Sequence, residues 1–104
     1  MKDIPEKDWK MIRKLKDEVL NKLCGRILSK VSETLNGSDQ TEHGKYLNVY
    51  KIINEEDDSI AAMFNDLKRS NAIIKLSLWK QNDLLTEEQF MLFSEETRER
   101  IGRI

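Results

Sequence analysis

The sequence predicts an all-α fold, a single-domain bundle of four to five helices with one long N-terminal helix. Apolar residues recur at helical spacing along most of the 104 residues. The chain also holds only four Gly and one Pro, so few positions interrupt a helix. A chain of this length buries one core of modest size, and residues 1–104 are therefore predicted to be one helical domain.

The first predicted helix spans residues 5–35. Pro5 suits a first helical turn, where its missing N–H would have no partner, and Asn36-Gly37 is typical of a helix end. Apolar residues recur every four positions, which overshoots the helical turn by about 40° at each step. The two halves of the helix are therefore expected to pack against different neighbours. This stripe consists of Leu15, Val19, Leu23, Ile27, Val31 and Leu35.

The length of this helix raises a second expectation. About 31 residues make a straight rod of roughly 46 Å, whereas a compact domain of this size is about 34 Å across. Two alternatives follow. Either the helix bends, with Gly25 as the predicted kink, or its exposed end is covered by a second copy of the chain.

After a linker at residues 36–44, four more helices are predicted. The acidic run Glu55 to Asp58 is interpreted as the first turn of a new helix, because acids favour a helix N-terminus. A continuous helix through these acids is the alternative. The predicted spans are 41–54, 57–69, 71–82 and 86–101.

Two of these helices depend on local signals. Residues 72–80 alternate as a half-buried strand would, but a lone strand has no partner here, so a helix capped by Ser70 and Asn71 is preferred. Thr86 and Gln89 form a capping box that begins the last helix. The predicted core consists of Ile12, Leu15, Val19, Leu23, Ile27, Val31, Tyr50, Ile53, Phe64, Leu67, Ile74, Leu78, Phe90 and Phe93.

Charge is balanced overall but unevenly distributed. The formal net charge is −1, which gives no global attraction to nucleic acid or anionic membranes. Residues 1–35 hold nine Lys or Arg against six Asp or Glu, and residues 36–66 hold two against seven. The basic first helix is expected to lie beside the acidic middle, either within one molecule or between two subunits.

No catalytic, cofactor-binding or metal site is predicted, and no cofactor. Cys24, the only cysteine, has mostly apolar neighbours at helical spacing and is interpreted as a small buried packing residue. His43, the only histidine, lacks the companions that a transition-metal site needs. Residues 54–58 lack the spacing and the glycine of a calcium loop.

The location predicted from sequence is the cytoplasm. A single cysteine cannot form an internal disulfide, which favours a reducing compartment. The N-terminus has no apolar core of the signal-peptide kind, and no apolar run approaches the roughly 20 residues that span a bilayer.

The function predicted from sequence is a non-enzymatic protein–protein interaction or regulatory module that self-associates as a homodimer through the N-terminal helix. A small enzyme or ligand-binding bundle is the alternative, with an interhelical pocket lined by Trp79 and Tyr50 and including Cys24 or His43.

A nucleic-acid-binding regulator is the second alternative. It would use the basic residues of helix one or a helical pair at 71–82 and 86–100. The second helix of that pair carries acids in TEEQ and SEETRE, where base- or phosphate-contacting residues should lie, which argues against DNA binding. The residues considered on helix one are Lys10, Arg13, Lys14 and Lys16, and Lys68-Arg69 precede the helical pair.

Overall fold

Five α-helices and one 3-10 turn build the protein, and the all-α prediction is confirmed. The computed structural model describes residues 3–38 and 40–102, and no strand occurs among them. The elements are α1 Glu6–Asn36, α2 Glu42–Phe64, the 3-10 turn Arg69–Asn71, α3 Ala72–Gln81, α4 Glu87–Met91 and α5 Glu95–Gly102.

Helix α2 corrects the predicted break at the acidic run. The predicted helices 41–54 and 57–69 are one helix up to Phe64, so the continuous alternative was right. Neighbouring acids in a helix cost only a few tenths of a kcal/mol, and no Gly or Pro interrupts the backbone there. Lys30 on α1 also pairs with Glu56 at 3.0 Å. These acids are therefore mid-helix residues, not a helix start.

The end of α2 comes earlier than predicted. Asp66 takes a left-handed conformation with φ of 56°, which turns the chain. The Asn71 side chain accepts from the Lys68 N–H at 2.9 Å and donates to the Asp66 carbonyl at 2.8 Å. Asn71 precedes α3 as expected, but its side chain holds this turn and makes no cap bond to the helix.

The predicted last helix, 86–101, is two short helices. Its start is confirmed, because Gln89 N donates to Thr86 Oγ1 at 3.0 Å and Thr86 N donates to Gln89 Oε1 at 2.9 Å. The chain leaves the helix after Met91 and restarts at Glu95. Between them, the Ser94 N–H donates to the buried Asp8 carboxylate at 2.9 Å, so a tertiary contact takes the place of a helical bond.

Helix α3 is the centre of the body. It contacts α1, α2 and α5. The fully buried Trp79 stacks on Phe64 with 5.4 Å between ring centroids, and its Nε1 donates to the Met63 carbonyl at 3.1 Å. The buried apolar residues are Ile4, Ile12, Leu15, Val19, Leu23, Ile27, Met63, Phe64, Ala72, Ile73, Leu76, Trp79, Leu84, Phe93 and Ile101.

Part of the predicted core is wrong. Tyr50, Ile53 and Ile74 are exposed. Helix α3 turns Ile73, Leu76 and Trp79 inward instead of Ile74, and Tyr50 and Ile53 lie on the part of α2 that precedes its first buried residue, Met63. The residues predicted as core that are only partly buried are Val31, Leu67, Leu78 and Phe90.

The molecule is elongated, 52 × 25 × 23 Å, with a Cα radius of gyration of 16.6 Å. An unbent α1 of about 46 Å fits this long dimension, so the fold requires no kink. Apart from the helix backbone itself, no atom lies within 4 Å of the position of a Cβ at Gly25. The explanation of Gly25 as a close backbone contact therefore fails, whereas the kink predicted there stays a prediction.

Candidate interaction surface

A helical arm, defined as residues 28–62, extends from the rest of the described chain, which is called the body. It consists of the C-terminal end of α1 and most of α2, joined by the linker. None of its described residues is buried, whereas α1 is buried at regular intervals as far as Ile27. Ile52 and Ile60 are partly buried and pack against the core, but no described residue of the arm is fully buried, so the arm has no core of its own.

One side of the arm is apolar, and its residues are named the arm face. Spacings of three, four and seven residues align each set along one side of its helix. Four members are strongly exposed: Tyr46 at 67%, Leu28 and Tyr50 at 63%, and Leu35 at 54%. The arm face consists of Leu28, Val31 and Leu35 on α1 and Tyr46, Tyr50, Ile53 and Ile60 on α2, and Cys24 lies one helical turn before Leu28 on α1.

A groove of about 320 Å³ lies between the two helices on this side. Because residues of both helices line this groove, the α1 part and the α2 part of the arm face lie on the same side of the arm. Its floor and walls are apolar, and the carboxylates of Glu56 and Asp57 stand at its edge. The apolar residues that line it are Cys24, Ile27, Leu28, Ile53 and Ile60.

The opposite side of the arm is polar. A second depression there is lined mainly by polar side chains of both helices, among them Glu33, Asn48, Lys51 and Glu55. Asn48 Nδ2 donates to Gln40 Oε1 at 2.9 Å, which joins α2 to the linker. The arm is therefore amphipathic as a two-helix unit, with one face suited to water and one suited to a partner.

The charges of the arm lie beside the arm face. The Lys30–Glu56 pair connects basic α1 to acidic α2 within one molecule, as the first charge interpretation expected. This pair is partly exposed, so we expect it to contribute little stability. The other acids of the run, Glu55, Asp57 and Asp58, are exposed, and they make this stretch of α2 strongly negative.

The base of the arm is attached to the body by hydrogen bonds. The Arg26 guanidinium donates to the carbonyl oxygens of Asn82 and Asp83, both at 2.5 Å, at the C-terminus of α3. There Asp83 has a φ of 55°, a left-handed conformation that turns the chain after α3. Lys75 Nζ donates to the Ala62 carbonyl at 2.7 Å. Both helices of the arm are thus oriented by α3.

The residues proposed for an enzyme or ligand pocket lie in different environments. Trp79 is fully buried in the body, Tyr50 is exposed on the arm, and His43 is exposed in the first turn of α2. Cys24 is half-buried at the groove, so the expectation that it is a buried packing residue is corrected. Its neighbours Ile27 and Leu28 are apolar, as the helical spacing predicted.

The described residues contain no group of three or more His, Cys, Asp or Glu placed to hold a metal ion. Within the same part of the chain, no helix combines the length and the apolar character needed to cross a membrane.

Lys10, Arg13 and Lys14 are exposed on α1. Lys7, Lys10 and Lys14 lie around a shallow depression on α1. The region predicted to pair with α3 as a helix-turn-helix is divided at residues 92–94 into α4 and α5, of five and eight residues. A recognition helix that spans the major groove is longer and continuous.

The sequence analysis identified the apolar stripe on α1 that includes Val31 and Leu35, but it predicted Val31, Tyr50 and Ile53 as core residues. Tyr50 and Ile53 were taken as core because helical spacing identifies an apolar face without showing what covers it. The sequence does contain a sign that this part of α2 is exposed. The four consecutive acids between Asn54 and Ser59 need contact with water, and they lie beside the apolar residues of α2.

The fold and surface thus define a small all-helical protein that carries an amphipathic two-helix arm. Comparison with known proteins gave no match: no family model, no curated protein and no solved structure is detectably similar to the chain.

Proposed function

We propose that the protein is a non-enzymatic interaction module that self-associates as a homodimer through the arm face. The observation that supports this proposal is an uncovered apolar face on an arm with no buried residue. Apolar surface gains about 25 cal/mol for each Å² removed from water. A second copy would give each arm the core that it lacks, as in a four-helix bundle.

The size of the face is consistent with a reversible dimer. Two helices side by side are about 20 Å wide, and the 14-residue step from Tyr46 to Ile60 is about 21 Å long. With side chains at both ends, two such faces bury on the order of 1,000 Å² in total, near the lower limit for a specific interface. A dissociation constant on the order of micromolar is therefore expected.

The cytoplasm remains the proposed location, supported by the single free cysteine.

Sedimentation velocity over a range of micromolar concentrations tests this proposal. The wild-type protein should approach twice its monomer mass of 12.3 kDa as concentration rises. Leu28→Glu places a charge in the groove and should weaken association at least tenfold, because an unpaired buried charge is costly. The matched control is Ser29→Glu, which adds the same charge at the next exposed residue outside the groove.

A wild-type protein that stays monomeric throughout this range would contradict self-association. Equal weakening by both variants would contradict the arm face as its site.

A further inference from the structure

We infer that Asn36 is a site of spontaneous modification, where the folded protein loses the side-chain amide and gains an aspartate or an isoaspartate. The site is the pair Asn36-Gly37, at the end of α1 and of the arm. Seven asparagines occur in the sequence, and Asn36 is the one that a glycine follows. This inference does not depend on the proposed homodimer.

The reaction needs a backbone nitrogen, a carboxamide and water. The Gly37 nitrogen attacks Cγ of Asn36, a bond forms between them, and the side-chain nitrogen leaves as ammonia. Water then opens the resulting cyclic imide at either of its carbonyls. Opening at Cγ gives aspartate, whereas opening at the main-chain carbonyl gives isoaspartate, in which the chain runs through the former side chain. Asparagine is accordingly one of the thermolabile residue types.

The backbone at Gly37 leaves room for this attack. Gly37 lies just outside α1, with φ of −65° and ψ of 138°, an extended conformation that other residues also adopt. The backbone angles therefore do not require a glycine there. Because glycine has no Cβ, nothing on residue 37 hinders the approach of its own nitrogen to Asn36.

The hydrogen bonds that hold the two reacting groups are long. The Gly37 N–H donates to the Thr34 carbonyl at 3.4 Å, and Asn36 Nδ2 donates to Ser32 Oγ at 3.4 Å. Both distances exceed the usual range for an N–H···O hydrogen bond. Little hydrogen-bond energy is therefore lost when the nitrogen and the carboxamide move together.

Other asparagines in the chain are held more firmly. After Asn82, the Asp83 N–H donates to the Lys80 carbonyl at 3.1 Å. Three more asparagines lie inside α1 or α2, where helical hydrogen bonds fix the nitrogen of the following residue. These three are Asn21, Asn48 and Asn54.

The position of the pair lets Asn36 leave its helical conformation. Asn36 is exposed and is the last residue of α1. No described residue of the arm is fully buried, and regions with few buried contacts open most readily. The end of α1 can therefore open to the geometry of attack while the body stays folded.

The product changes the end of α1. A negative charge is unfavourable at a helix C-terminus, and the last turn of α1 holds Glu33 and no basic residue. Isoaspartate also adds one carbon atom to the main chain between Leu35 and Gly37, which interrupts the helical backbone. We therefore expect the last turn of α1 to fray after the modification.

Peptide mapping of the native protein tests the inference. Protein is incubated for several days in mildly alkaline buffer and digested with trypsin, and an unincubated sample corrects for changes during digestion. The tryptic peptide 31–45 contains Asn36 as its one asparagine. It should give both aspartate and isoaspartate products, heavier by the difference between an oxygen atom and an NH group. Conversion at Asn36 should exceed that at every other asparagine by about tenfold or more, since the residues that follow those carry a Cβ.

Gly37→Ala is the matched variant, because the backbone angles of residue 37 suit alanine. Its circular dichroism should equal that of the wild-type protein, but its conversion at Asn36 should be lower by about tenfold or more. Asn36→Gln keeps an amide on a longer side chain and should show no conversion at position 36. Amide hydrogen exchange in the last turn of α1 should become faster on incubation of the wild-type protein but not of Gly37→Ala.

Equal conversion in the wild-type protein and in Gly37→Ala would overturn the inference. Conversion that occurs in protein unfolded by guanidinium but not in the native protein would also overturn it, because the folded end of α1 would then protect Asn36.

Discussion

Asp8 shows how one residue connects the two ends of the chain. Its carboxylate is fully buried and accepts hydrogen bonds from Ser94 N at 2.9 Å, Ser94 Oγ at 2.6 Å and Thr97 Oγ1 at 2.5 Å. Sequence analysis can place Asp8 in the first turn of α1, where acids are common. Its burial by α5, which is 86 residues or more away along the chain, depends on the tertiary fold.

We expect Asp8→Ala to lower the free energy of unfolding by about 3 kcal/mol, because it leaves buried donors of Ser94 and Thr97 without an acceptor. Urea denaturation followed by circular dichroism measures this loss. The control is Glu6→Ala, an exposed acid in the same helical turn, which should change stability by about 0.5 kcal/mol or less. Equal losses from the two variants would contradict the role given to Asp8.

At the scale of the element, α1 shows that a helix can continue through a glycine. Helix α1 has 31 residues and continues through Gly25, and the space that a Cβ at Gly25 would occupy is open. Ser29 Oγ donates to the Gly25 carbonyl at 3.1 Å, a bond that leaves the helix intact. The glycine therefore weakens α1 by its conformational freedom alone.

Gly25→Ala is accordingly expected to raise the free energy of unfolding by about 0.5 to 1 kcal/mol. Thermal and urea unfolding measure this change. Gly44→Ala is the comparison, because a Cβ there would stand 3.2 Å from Oγ1 of Thr41, the hydroxyl that caps α2. Gly44→Ala should therefore raise the free energy of unfolding less than Gly25→Ala does, or should lower it. A loss with Gly25→Ala would show instead that α1 needs its glycine.

At the scale of the whole molecule, the body and the arm differ in how they are stabilised. The body surrounds α3 with buried apolar residues, whereas the described residues of the arm include none. Regions with few buried contacts open most readily. Stability of the arm is thus expected to depend on the second copy more than stability of the body does.

The melting temperature of the wild-type protein should therefore rise by a few degrees for each tenfold increase in concentration, because association favours the folded state by mass action. Leu28→Glu should melt at one temperature at all concentrations. Hydrogen exchange should show faster exchange in α2 than in α3 for this variant, and slower exchange in wild-type α2 at high concentration. Concentration-independent melting of the wild-type protein would contradict the role of the second copy.

Local sequence patterns were sufficient to predict the class of fold, the extent of α1, the capping box at Thr86 and the apolar stripe from Ile12 to Ile27. These features depend on side-chain periodicity and on hydrogen bonds between residues close in the chain. The same signals misplaced the boundaries of α2 and α5, because a few tenths of a kcal/mol at the acidic run and one bond from Asp8 decided between helix and turn.

The sequence by itself determined that this protein is helical and that its apolar residues form stripes, since both properties follow from the backbone period and from composition. Only the tertiary structure decided which stripes are covered. Tyr50 and Ile53 have the spacing of core residues, yet both are exposed on the arm, whereas α3 contacts α2 at Ala62, Met63 and Phe64. Burial depends on contacts between distant segments, and those contacts turned a predicted part of the core into the candidate interaction surface.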